Sequence, residues 1–193
     1  MIEYKYMRQL RNAIENFYPL GNDCWADLES IIDCRMLAKN EHFSREGQFA
    51  KEFGFICSGI MRMFYLSEDG VEWNKHFFIE NDFVVASIDP KKKSIVNIQA
   101  LTPVTLICIS YSKFMELIHK FPQVNLFLQK MMSAHLERKQ EKEIRFLSNE
   151  AIDNYKYFNH KYPGLEKIIP LYHIASYLGI TPTQLSRIRQ QLK

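Results

Sequence analysis

In the stretch "HIASYLGITPTQLSRIRQQLK", Thr183, Gln184, Arg187 and Gln190 recur at intervals that share one side of a helix, away from Leu185 and Ile188. The chemistry open to such side chains is recognition through hydrogen bonds. Gln pairs bidentately with adenine and Arg with guanine, while Thr183 can meet a thymine methyl or a phosphate. Ser186, Arg189 and Lys193 are better placed for phosphates, and Thr181 joins the contact set from the start of the helix.

Two short helices are needed to present this face. Ile174, Ala175, Leu178, Ile180, Leu185 and Ile188 form their inner side, and Gly179 sits at the bend, where the tight turn needs a positive φ. Thr181 is an N-cap and Pro182 suits the first helical turn, so a second helix starts there. The spacing is that of a helix-turn-helix. A two-helix corner with a wet outer face is the plainer alternative, and both cap chemistry and charge argue against it. Of the net charge of +3, residues 161–193 carry +4 and the remainder −1, which points to an anionic partner, double-stranded DNA, for this end. His173 is expected at the surface or as a cap.

Covalent chemistry has less support. No nucleophile, base and orienting group fall together, and Glu72, His76 and Asp82 have ordinary strand-surface explanations. The chain is therefore not expected to be an enzyme. Cys24, Cys34, Cys57 and Cys108 form no CxxC pair, and buried free thiols are expected rather than a metal site or a cofactor. No run approaches the roughly 18 apolar residues that span a bilayer, and charge interrupts "MIEYKYMRQLRNAIENF" every few residues. A soluble, cytoplasmic chain without a membrane partner is the expectation.

The elements that must carry the recognition face are legible in outline. Tyr4, Met7, Leu10, Ile14 and Phe17 predict a helix over 3–18, and Asp23 is an N-cap candidate for a second. From about Cys34 to Ser110 short β-branched and aromatic runs alternate with turns. "GIMRMFYL" and "VEWNKHFFI" flank Asp69-Gly70, a hairpin signal; in the second run Val71, Trp73, Lys75, Phe77 and Ile79 form the face expected to be buried. An antiparallel, barrel-like β-domain follows, within an α+β chain. Beyond Ser110 the period is helical again, with a short helix to about Pro122 and a long one through "VNLFLQKMMSAHLERKQEKEIRFL". Val124, Leu128, Met131 and His135 are candidates for a homodimer seam, against the alternative of a solvated helix. Ser148 is expected to cap the next helix, which Pro163-Gly164 closes.

This order of parts resembles the Crp/Fnr family of bacterial transcription factors over nearly the whole chain. "REGQFAKEFGFICSGIMRMFYLSEDGVEWNKHFFIENDF" is similar to the family's roll, with Gly47, Gly59 and Gly70 at turn glycines and Asn81 where a further glycine is usual. "LGITPTQLSRIR" resembles its recognition motif, with Arg187 matching the base-reading arginine. The resemblance implies a cyclic-nucleotide-binding-like β-roll (a jelly roll) with flanking helices over 1–121, a dimerisation helix over 122–147 and a helix-turn-helix domain over 148–193. It implies a homodimeric transcription regulator whose roll senses a small-molecule effector.

Members that bind cyclic nucleotide carry Phe-Gly-Glu after the roll, followed by Arg-Ser or Arg-Thr. Here Val84 and Val85 replace the glycine and glutamate, and Ser94 falls at the arginine. Lys91, Lys92 and Lys93 offer charge but read as a solvated loop. Cyclic AMP is therefore not expected to bind. Phe83, Val84, Val85 and Ser94 remain the effector-pocket candidates, whether that pocket is empty, filled by its own side chains or open to an apolar molecule. Cys24 and Cys34 are too few and too far apart for the family's iron-sulfur type. No residues follow Lys193, so the family's β-hairpin wing is expected to be missing. The competing function is a sensor or protein-interaction module whose helix-turn-helix binds no DNA.

Overall fold

The computed structural model describes residues 3–87 and 89–192. Two helices lead, α1 (Tyr4–Glu15) and α2 (Asn22–Ile31). The N-cap of α2 is Gly21 rather than Asp23, which lies in the first turn, where its charge suits the positive end of the helix dipole. Among the described residues eight strands follow: β1 (Asp33–Leu37), β2 (His42–Ser44), β3 (Glu52–Ser58), β4 (Met61–Leu66), β5 (Glu72–Phe78), β6 (Phe83–Val84), β7 (Asn97–Ala100) and β8 (Val104–Ser110). They form two four-stranded sheets, β1-β8-β3-β6 and β2-β7-β4-β5. Helices α3 (Tyr111–Lys120), α4 (Pro122–Ser148), α5 (Ala151–Lys161), α6 (Leu171–Leu178) and α7 (Pro182–Gln191) complete an α+β fold whose strands make an antiparallel β-roll.

Turn chemistry explains the roll's corners. Gly59 has φ +97°, and a Cβ there would lie 2.3 Å from the Pro103 carbonyl oxygen, so only glycine fits. Asn81 has φ +72°, the left-handed conformation in which asparagine stands in for glycine. Register is firm in the first sheet: β1 pairs with β8 from Asp33 opposite Cys108 to Leu37 opposite Val104, and Gly54 on β3 lies opposite Val84 on β6.

The chain divides into two compact units. One comprises Met1–Met63 and Phe77–Ala134; the other comprises Phe64–His76, the tip of the β4–β5 hairpin, with the chain from His135 onward. The boundaries expected at 121/122 and 147/148 fall close to the two ends of α4, whereas the division between units falls within that helix. In the first unit one apolar cluster joins Leu10, Trp25 and Leu28 to Phe55, Ile107, Val124 and Phe127, and another fills the roll with Ile56, Met61, Val84, Ile98 and Leu106. Cys24, Cys57 and Cys108 are buried free thiols, and burial pushes Cys57 and Cys108 up to about 12. Cys34 is exposed.

Two further expected details differ. Ser148 does not cap α5; it ends α4, its hydroxyl donating back to the Ile144 carbonyl at 2.8 Å, and the N-cap position belongs to Glu150. Near its tip β5 also turns the opposite face inward, since Asn74 is buried while Trp73 and Lys75 are exposed. The physical reason is hydrogen bonding: Asn74 has polar partners in the second unit that offset its burial.

Candidate nucleic-acid interface

The second unit builds the recognition face on a small aromatic and aliphatic core. Phe158 of α5, Ile174 and Ala175 of α6, and Leu185 of α7 are all at most 1% exposed, with Tyr155, Tyr162, Tyr177, Leu178 and Ile188 around them. The smallness of Ala175 lets α6 and α7 approach closely. Gly179 ends α6 with φ +69°, and its amide donates to the Ser176 carbonyl. Two residues later α7 begins with a full capping box. Thr181 Oγ1 accepts from the Gln184 amide at 3.2 Å, and Gln184 Oε1 accepts from the Thr181 amide at 2.8 Å.

Thr181, Thr183, Gln184, Ser186, Arg187 and Gln190 are exposed together along α7, while Leu185 and Ile188 turn inward. They do not stand equally ready. Gln184 is held in the cap, so pairing with a base requires it to leave a contact worth about 1 kcal/mol. Arg189 is half-buried, its Nε 3.4 Å from Glu166 Oε2, and Tyr155 donates its hydroxyl to the same carboxylate oxygen. Arg189 thus ties α7 to α5 and to the 3-10 turn Leu165–Lys167 before it reaches any phosphate. Arg187 is exposed and, among the described residues, makes no ion pair of this kind. Lys193 lies outside the described residues.

Sequence reasoning missed His173. It is not at the surface: it is 4% exposed, with the Asn74 side-chain amide 3.1 Å from its carbonyl and 3.3 Å from its Nδ1. In the same unit a cationic group gathers around His76. Burial, then Lys161, Lys142, His135 and Arg138, hold His76 down to about 3, and burial with Lys161 and Lys75 lowers Lys142 to about 8. Lys142 Nζ donates to the Lys75 carbonyl at 2.7 Å and lies 3.9 Å from the Tyr177 ring centroid.

These shifts set a pH dependence. Below its ordinary value of 6.5 the unfolded His76 takes up a proton that the folded protein refuses until about pH 3, so acid favours unfolding. Stability is expected to be complete above pH 6.5 and to fall by roughly 2 kcal/mol on going from pH 7 to pH 5 through this group alone. Urea unfolding at the two pH values measures it, and in His76→Gln the slope should flatten; an equal slope in the variant would exclude His76 as its source.

The effector candidates lie in the first unit. Val84 is fully buried in the roll's apolar cluster, Phe83 packs with Phe55, Phe17 and Phe127, and Val85 is half-buried. Ser94 is 3% exposed; its hydroxyl donates to the Val96 carbonyl at 2.7 Å and accepts the Val96 amide. Val84 and Ser94 are thus engaged in packing and local turn structure. A buried cation that the sequence did not flag is Arg62 on β4, whose Nε and Nη2 both donate to Gln99 Oε1, at 3.0 and 2.7 Å. Its position in an alternating strand was the only signal available. Among the described residues no His, Cys, Asp and Glu cluster is arranged to hold a metal, and no helix is long and apolar enough to cross a membrane.

On α4, Val124 is 1% exposed inside the core of the first unit and Met131 packs against the same cluster, so these two seam candidates face inward. Leu128 is half-buried and His135 exposed. The outward apolar residues of α4 include Leu126, Met132, Leu136, Ile144 and Leu147, with Leu136 54% and Leu147 89% exposed. At about 100° per residue they share one stripe, opposite Val124, Phe127 and Met131.

The fold of this roll and its helices is shared with solved structures. Residues 34–121 match the family model of the cyclic nucleotide-binding domain. Among solved structures, FixK2 from Bradyrhizobium japonicum is similar with a TM-score of 0.75 at 19% identity, over 84% of each chain. The c-di-GMP responsive global regulator CLP from Xanthomonas campestris matches with a TM-score of 0.71 at 15% identity, over 89% of this chain and 91% of that one. The catabolite activator protein of Thermus thermophilus matches with a TM-score of 0.59 at 18% identity, over 93% and 86%. By sequence, no curated protein matches the chain.

Proposed function

We propose that the chain is a cytoplasmic, homodimeric transcription regulator of the Crp/Fnr type, which reads a pseudo-palindromic DNA site through α7 and uses its β-roll as a sensor. The observation that carries this is the N-capped helix α7, with Leu185 and Ile188 buried and Thr183, Gln184 and Arg187 exposed together. An amphipathic helix held this way presents donors and acceptors at a fixed angle, as major-groove reading requires. The cationic excess of residues 161–193 supplies the phosphate attraction. Nothing in this role calls for catalysis.

The test is selection of duplexes from a random pool, followed by binding across a salt series. A defined half-site repeated about one helical turn apart is expected, with log K falling linearly against log salt at about 0.9 per phosphate neutralised. Absence of any DNA binding at low salt, with a protein partner retained, would favour the interaction module instead.

The signal read by the roll is not cyclic AMP. Val84 occupies the apolar core at the family's glycine position, and Ser94 spends its hydroxyl on Val96, so neither close backbone approach nor a guanidinium is offered to the cyclic phosphate. Cyclic AMP at micromolar concentration is expected to leave the melting temperature unchanged. A clear upward shift, which ligand binding to the folded state must produce, would overturn this.

A further inference from the structure

We infer that the tip of the β4–β5 hairpin is a latch that positions the helix-turn-helix for DNA, with Asn74 and Ser176 as its positioning residues. The inference rests on the DNA-binding role proposed above. β5 is the outer strand of its sheet, and an outer strand leaves peptide groups in need of partners. On β5 two of these groups are taken by one side chain of α6. Ser176 Oγ accepts the Asn74 amide at 2.9 Å and donates to the Glu72 carbonyl at 2.7 Å, the pair of contacts a neighbouring strand would make. One helical turn earlier, the Asn74 side chain donates to the His173 carbonyl at 3.1 Å. Asn74 is only 5% exposed, so its side-chain bond to the His173 carbonyl is made away from water, where losing it costs most. Lys142 closes the junction, touching both the Lys75 carbonyl on the hairpin and the Tyr177 ring on α6.

The latch holds α6, not the reading face. Gln184 and Arg187 stay exposed, so the hairpin does not block DNA. Instead it fixes α6, and α7, which lies against α6 and buries Leu185, inherits that orientation. A dimer must present two recognition helices about one DNA turn apart, and a helix already held at its angle loses less freedom on binding. The reversed burial at Asn74 and Trp73 is what this contact costs β5: its polar residue is turned inward and its tryptophan left 37% exposed.

The test uses the full chain carrying Asn74→Ala, Ser176→Ala, both together, or Ser176→Thr. Operator affinity, base preference, melting temperature and hydrogen exchange of the α6 amides are read for each. Each alanine variant is expected to bind its selected duplex about fivefold to tenfold more weakly, with base preference unchanged, melting within a few degrees and α6 exchange accelerated. The double variant should be no worse than additive, and Ser176→Thr, which keeps the hydroxyl, should bind as the parent does. Unchanged affinity with accelerated α6 exchange would overturn the positioning role, and tighter binding would show that the hairpin restrains the domain. Weaker binding in step with a general loss of stability would reduce the contact to an edge cover. If the parent chain binds no duplex at low salt, the DNA-binding role itself fails. The hairpin contact is then judged by exchange alone, and acceleration spread over the whole second unit would refute a latch confined to α6.

Discussion

Arg187→Ala is expected to remove the preference for one base pair in each half-site and to weaken binding of the selected duplex by roughly tenfold to a hundredfold per half-site. A bidentate pair between arginine and a guanine edge is worth about 1–3 kcal/mol of discrimination, and two protomers lose it together. The fold should not change, because Arg187 is exposed and the inward face of α7 is carried by Leu185 and Ile188. Arg189→Ala provides the contrast. Its guanidinium is paired with Glu166, so its loss should lower stability and leave base preference intact. Binding of a randomised pool, read by sequencing at two salt concentrations, separates the two outcomes. A preference unaltered by Arg187→Ala would remove that residue as a reader, whatever happened to affinity.

The contrast between the two arginines also marks what a sequence can convey. Helical spacing placed Leu185 and Ile188 inward and Thr183 and Arg187 outward, because that pattern is a local property of a 3.6-residue turn. Thr181, Pro182 and Gly179 announced the ends of α6 and α7 through backbone preferences that act within one turn. The partner of Arg189 lies 23 positions earlier, in a short 3-10 turn, and no periodicity points to it. Asn74 is the sharper case. Period two assigns it to solvent with Glu72, yet it is buried, because its partners His173 and Ser176 are about 100 residues away. The roll was visible in its turns, down to the left-handed Asn81, while Val84 gave no hint by itself of whether a pocket or a packed core surrounds it.

Leu136→Glu is expected to dissociate the homodimer proposed above and to lower operator affinity by about a hundredfold or more without unfolding the chain. Leu136 is 54% exposed within a stripe that also carries Met132, Ile144 and Leu147, so a charge there removes no buried contact of the single chain. In a helix-to-helix seam the same charge would be buried without a partner, which costs several kcal/mol. Two half-sites read by one assembly gain about 10²–10⁴ over a single half-site through effective concentration, and monomers forfeit that gain. Val124→Glu is the complementary variant. Val124 sits at 1% exposure beside Phe127 in the core of its own unit, so this change should abolish folding rather than assembly. Sedimentation of the Leu136→Glu chain, with its melting temperature, decides between the faces of α4: a dimer that persists would move the seam away from the outward stripe. Binding of a single half-site duplex should be nearly the same for parent and Leu136→Glu, since each recognition helix is intact, and the whole of the loss should fall on the two-half-site operator.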